Sequence, residues 1–185
     1  PGYPDFVGDA IVALPAMENV VIVANATGGF EVGLELALEQ VEGKKKGKII
    51  LVNRMDNEHA DYDKTLEAIH ENTGINPVKV HIPIGKEGSF EGVVDVIRQK
   101  AIKSGVESDV PANMADAVEE ARLHLMEAVA ETSEELLNEF LEHMELPQDK
   151  LIAGLRSAIA TGDVVPAFAC SAGTGVGVQA FMQAV

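Results

Sequence analysis

The chain has 185 residues, 46% of them hydrophobic, enough for a sizeable core, and its formal net charge is −16. Such acidity disfavours direct contact with nucleic-acid phosphates and suits a basic protein partner or plain solubility. No apolar run reaches the roughly 18 residues of a membrane helix, and Cys170, the lone cysteine, excludes an internal disulfide and fits a reducing compartment.

The first segment, Pro1-Gly2-Tyr3, reads as a turn. The Gly2 N–H can approach a phosphate because no Cβ intervenes. Taken alone, Pro-Gly is an ordinary β-turn signal. Asn19 to Asn25 is mostly branched and apolar, the pattern of a buried strand. Phe30 to Val41 repeats its apolar residues at helical spacing. A lysine-rich loop leads into a second strand, Lys48 to Asn53. Ala60 to Asn72 reads as a helix, with Gly74 where a helix stop belongs. A third strand spans Val78 to Ile84. Strands alternating with helices predict an α/β fold with a parallel sheet covered on both faces.

From about Pro111 to Gly162 the pattern turns helical. Glu107 to Lys150 holds thirteen acidic residues against Arg122 and Lys150. Ser133-Glu134-Glu135 can start one helix, and Pro147 separates two. The strand pattern returns at Asp163 to Cys170, followed by a glycine-rich turn and a last helix, Val176 to Val185. An acidic helical block between strand segments reads as an insertion in an α/β domain.

Ligands of open parallel sheets bind at the carboxyl ends of the strands, so the turns carry the chemistry. After the second strand stands Asn53-Arg54-Met55-Asp56. Asn and Asp are common turn formers. An Asp here can also accept both donors of a planar N–H/NH₂ edge, as guanine presents. Adenine lacks that pair and would leave the carboxylate unmatched. The Asn53 amide can hold the turn and reach the ring, and the Arg54 stem can lie along the base.

After the last strand stands Ser171-Ala172-Gly173-Thr174-Gly175-Val176-Gly177. A dinucleotide fingerprint, G-x-G-x-x-G, fails at its third position, where Val178 stands. A nicotinamide enzyme is therefore disfavoured. Ser171 and Ala172 can still offer backbone N–H groups to a base placed by Asn53 and Asp56. His59, His70, His81, His124 and His143 show no metal-ligand spacing, no phosphate loop of the G-x-x-x-x-G-K-[ST] type is present, and Ser171 lacks a G-x-S-x-G frame.

Jointly, in this order and spacing, these segments resemble the GTPase domain of elongation factor G. Pro1-Gly2-Tyr3-Pro4-Asp5-Phe6 resembles the end of the family's D-T-P-G-H-V-D-F motif, and Ala26-Thr27-Gly28-Gly29 falls at its V-G-G turn. Asn53-Arg54-Met55-Asp56 resembles N-K-M-D. Ile84-Gly85 with Phe90 to Val96 resembles I-G…F-x-G-V-V-D. Ser133 to Leu137 resembles S-E-E-L-M, Cys170-Ser171-Ala172 resembles G-S-A, and Gly177 to Ala180 resembles G-V-Q-A. The likeness runs along essentially the whole chain.

The resemblance implies a P-loop-NTPase-type G domain, incomplete at its N-terminus, with an acidic, mainly helical insertion. Residues 1–73 and 163–185 would form the incomplete core, and 74–162 the inserted subdomain. It implies GTP and GDP as ligands, with Mg²⁺ held by residues outside this stretch. Asn53, Arg54 and Asp56 would read guanine, with the backbone around Ser171 and Ala172 at its O6. Gly2 would meet the γ-phosphate. Tyr3 stands where the family has the His that positions the attacking water, and Arg54 replaces the family's Lys. Tyr3 points to an elongation factor G-like paralogue of the P-G-Y kind with slow hydrolysis, and Arg54 to altered guanine affinity. The implied setting is cytoplasmic and ribosomal, with the acidic insertion placed to meet the ribosomal stalk protein. The alternative is a degenerate scaffold docking a basic protein through the acidic helices around Ala115 to Met144.

Overall fold

The computed structural model describes residue 5, residues 7–44 and residues 46–185. Gly2 and Tyr3 lie outside the described residues. The fold is α/β, with two four-stranded sheets.

The first sheet is parallel. It is built from β1 (Asn19–Asn25), β2 (Gly47–Asn53), β3 (Pro77–Lys79) and the last strand, Val165–Ala169, in the order β1, β2, last strand, β3. β1 and β2 run in register from Asn19 opposite Gly47 to Asn25 opposite Asn53. Side chains alternate across a strand, and here both faces are apolar. Ile50 and Val52 of β2 face one core, shared with Ala167 and Ala169. Ile49 and Leu51 face the other, shared with Phe168. This two-sided burial explains the near-continuous apolar strands. Each fully buried Ile or Val contributes about 1.5–3 kcal/mol.

Helices α2 (Val32–Val41) and α3 (Tyr62–Thr73) cover the first face through Leu34, Leu38, Leu66 and Ile69. Asp61 caps α3 by accepting the Lys64 N–H at 3.1 Å, and that bond, the largest influence on it, holds its carboxyl below the usual range. Gly74, at φ 71°, ends the helix in the left-handed conformation. The second face lies under α4 (Ala115–Ala130), α5 (Glu134–His143) and α6 (Gln148–Thr161), through Leu125, Val129, Phe140, Leu151 and Leu155. Phe181 of the last helix, α7 (Val178–Ala184), also packs there. α1 (Val7–Ala13), which periodicity does not suggest, precedes β1. On β1 itself, Ile22 and Ala24 are buried, whereas Val21 and Val23 are 43% and 56% exposed.

The third strand expected over Val78 to Ile84 is two strands in different sheets. The Val80 N–H donates to Ala167 O in the parallel sheet, while the Val80 carbonyl accepts the Val96 N–H. The chain changes sheets at that residue. β4 (His81–Ile84), β5 (Gly92–Asp95), β6 (Lys100–Lys103) and β7 (Val106–Asp109) then form an antiparallel meander. Ser104 and Gly105, both at positive φ, make the two-residue turn between β6 and β7. The range 74–162 therefore holds β3 of the parallel sheet and the meander as well as α4, α5 and α6. The last strand, β8 (Val165–Ala169), closes the parallel sheet between β2 and β3. No helix among the described residues is long and apolar enough to cross a membrane.

Candidate functional site

β2 and β8 lie side by side, with Val52 opposite Ala169 at their carboxyl ends. The ladder continues past the strands. The Cys170 N–H donates to Val52 O at 2.9 Å, and the Met55 N–H donates to Cys170 O at 3.2 Å. Both candidate turns therefore leave one edge as a stapled pair.

Asn53 ties them together. Its Oδ1 accepts the Arg54 N–H at 2.8 Å and the Ala172 N–H at 2.9 Å. Its backbone carbonyl accepts the Ala26 N–H at 2.9 Å, which brings the turn after β1 to the same edge. Within that turn Asn25 Oδ1 accepts from the Thr27 N–H and hydroxyl, and Asn25 Nδ2 donates to Glu31 Oε1. Arg54 sits in the left-handed region at φ 65°, its side chain exposed. The Asn57 N–H closes the turn on Arg54 O. Met55 is buried and anchors the turn in the core. Asp56 is half-buried, and its carboxylate has no hydrogen-bond or ion-pair partner among the described residues. The turn thus holds an acceptor ready for a ligand's donors.

The second turn is shaped by its own bonds. Ser171 is buried; its N–H donates to Val176 O, and its carbonyl accepts the Gly175 N–H at 2.8 Å. The Thr174 N–H donates to Ser171 Oγ at 3.3 Å. The Ser171 and Ala172 N–H groups are thereby both engaged, and the exposed Gly173 N–H has no acceptor among the described residues. Gly177, at φ 78°, approaches β8 so closely that a Cβ there would stand 2.6 Å from Ala169 O. That packing accounts for the glycine at the end of the turn.

Asn53, Arg54, Asp56, Ser171 and Ala172, the residues to which the two motifs point, share this edge. Sequence reasoning does not find the Cys170 side chain, whose Sγ lies 3.6 Å from Asn53 Oδ1 across 117 positions of chain. Burial pushes that thiol up to about 11. Among the described residues no group of three His, Cys, Asp or Glu can hold a metal ion, so none of them is assigned to Mg²⁺. A cleft of about 690 Å³ lies to one side, between α3, the β3–β4 segment and α4, and reaches Met55 beneath the first turn.

A parallel sheet with helices packed on both faces, one face of its edge strand β1 left open, and two turns stapled at its carboxyl edge around an unpartnered carboxylate has the architecture of a P-loop-NTPase-type G domain. The family described as the elongation factor Tu GTP binding domain matches residues 1–185. The chain belongs to that family of GTP-binding translational GTPases. It is also similar to a Thermus thermophilus protein of known crystal structure, with a TM-score of 0.88 and 28% identity. That match covers 99% of this chain and 28% of the length of the Thermus protein.

Proposed function

We propose that this chain is the guanine-reading part of an elongation factor G-like GTPase that works on the ribosome, in the cytoplasm. The observation that carries the reading is the convergence of the two turns through Asn53 at the edge of the sheet. Asp56 accepts the paired N–H and NH₂ donors of guanine, an edge that adenine lacks. Asn53 holds the turns in register and turns its amide nitrogen to the ring. Arg54 lays its stem along the base, its guanidinium aimed differently from an ammonium. The backbone around Ser171 and Ala172 meets O6, with the Gly173 N–H as the donor left open there.

GTP is the substrate. Gly2 N–H contacts the γ-phosphate, and Tyr3 hydrogen-bonds the attacking water. A phenol with an ordinary pKa near 10 is a poor substitute for imidazole in that place, so hydrolysis is slow. Residues 1–73 and 163–185 supply most of the nucleotide-binding core; 74–162 adds β3 to its sheet and carries the antiparallel meander and the acidic helices as the inserted part. These 185 residues contain no G-x-x-x-x-G-K-[ST] loop to hold the phosphates. On their own they bind GTP poorly, and a longer protein that includes them is the enzyme. The test is nucleotide titration of that longer protein: Asp56→Ala removes guanine-selective binding. Unchanged affinity and selectivity would refute the reading.

A second reading has one observation in its favour. Glu120 and Glu127 of α4, and Glu131 at its C-terminal cap, line the 690 Å³ cleft, which Asp61 and Asp63 also line. None of the three glutamates has an ion-pair partner among the described residues. On this reading the chain is a degenerate GTPase-like scaffold whose acidic helices dock a basic protein partner. Capture that depends on salt and on these glutamates, and not on nucleotide, supports a scaffold over a GTPase.

A further inference from the structure

We infer that Cys170 is a positioning residue for guanine recognition: its thiol is the third donor that fixes which end of the Asn53 amide faces the nucleotide. The inference rests on the guanine-reading function proposed above and adds a residue to it.

Three donors converge on Asn53 Oδ1. Two are backbone N–H groups, from Arg54 at 2.8 Å and Ala172 at 2.9 Å. The third is Cys170 Sγ at 3.6 Å, a normal length for a weak S–H donor. An amide flip would aim the Nδ2 hydrogens at all three. The oxygen is therefore held toward the protein, and the NH₂ group is left for the open side. An Asn presenting its oxygen to a purine ring nitrogen would repel it; one presenting NH₂ can donate.

The thiol is placed to do this and little else. Cys170 is 2% exposed. Its N–H and carbonyl are both tied to the β2 side, at Val52 O and the Met55 N–H. Gly177 closes over it: a Cβ there would come within 3.4 Å of the Cys170 Cβ. Its raised pKa keeps it protonated at neutral pH, so it remains a donor and a poor nucleophile. A glycine at this position, as in the G-S-A form of the motif, would leave the first two donors to hold the amide unaided.

The experiment uses the longer protein with fluorescent GDP as the probe. Cys170→Ala is expected to weaken GDP binding about three- to fivefold, the scale of one modest hydrogen bond. Cys170→Ser, which restores a donor of similar size, is expected to bind within about twofold of the parent. If C170A does not fold, C170V, which fills the space without a donor, takes its place and is expected to show the same loss. A residue needed only for packing would be served as well by Ala or Val as by Ser. Equal affinities for the parent, the donor-free variant and C170S overturn the inference. So does a serine variant no better than the donor-free one. Asp56→Ala is measured alongside. If it too leaves GDP binding unchanged, the site reading fails; if it alone removes binding, only the role of Cys170 falls.

Discussion

Asn53 Oδ1 accepts the Ala172 N–H at 2.9 Å, joining two turns separated by 119 positions of sequence. The bond is made where β2 and β8 end together. It makes one site of segments that are each an ordinary turn. The bond joins turns that follow β2 and β8, so site geometry here depends on correct strand order. A buried or half-buried carbonyl deprived of its donors costs about 1–3 kcal/mol. Damage to this bond would therefore show in stability as well as in binding.

Arg54 offers a separable test of strain. A non-glycine residue in the left-handed region costs about 1–2 kcal/mol, and Arg54 sits there at φ 65°. Arg54→Gly relieves that cost, offset by the extra freedom of glycine in the unfolded chain. A net gain in unfolding free energy of about 0.5–1 kcal/mol is expected in urea titration. On the proposed reading guanine-nucleotide affinity should fall in the same variant, because the stem proposed to lie along the base is gone. A loss of stability would show that the turn does not strain Arg54.

His81 predicts an acid sensitivity. Its ring is fully buried, edge-on to Phe168 at 4.8 Å between centroids, and neither ring nitrogen has a hydrogen-bond partner among the described residues. Burial lowers its pKa to about 3. Asp95, opposite it in the β4–β5 pairing, is occupied by the Ile97 and Arg98 N–H groups. The fold keeps the imidazole neutral, while the unfolded chain takes up a proton below about pH 6.5. Above that value the group has no effect on stability. As pH falls below it, stability drops by about 1.4 kcal/mol per unit, down to the folded pKa near 3. His81→Phe keeps an aromatic ring there and lacks the proton. Urea midpoints at pH 7.5 and pH 5 should differ less for the variant than for the parent; an equal drop would exclude His81 as a cause.

Tyr3 bears on rate. Tyr3→His in the longer protein on ribosomes is expected to speed GTP hydrolysis in stopped-flow measurement, with nucleotide affinity unchanged. No acceleration would remove the proposed role of Tyr3 in slowing hydrolysis.

Some of this is plain in the sequence, and the rest is hidden for physical reasons. α3 is legible because apolar spacing and a Gly74 stop agree, while the Asp61 cap that sets its start is seen only in the structure. β2 is legible because both its faces are buried, giving an unbroken apolar run. The meander is not, because its strands have four residues each, too few for a period to emerge. Nothing local marks Val80 as the residue where the chain changes sheets, since its N–H and carbonyl partners, Ala167 and Val96, are set by tertiary pairing. At the site, residue types and order point to Asn53, Asp56, Ser171 and Ala172. The commitment of the Ser171 and Ala172 N–H groups, and the contact from Cys170, belong to distant pairing and have no signature in the motif.

The most direct measurement is base selectivity after Asp56→Asn in the longer protein. Xanthine differs from guanine by carrying a carbonyl in place of the NH₂ group, so it presents an acceptor where guanine presents a donor. An Asn side chain can supply a donor to it, and an Asp carboxylate cannot. Titration with GDP and xanthosine diphosphate is expected to show GDP binding weakened at least tenfold and xanthosine diphosphate becoming the preferred ligand, on the scale of about one charge-assisted bond lost and a new one gained. An Asp56→Asn protein that still prefers GDP with the parent's affinity would contradict the placing of guanine recognition at this edge of the sheet.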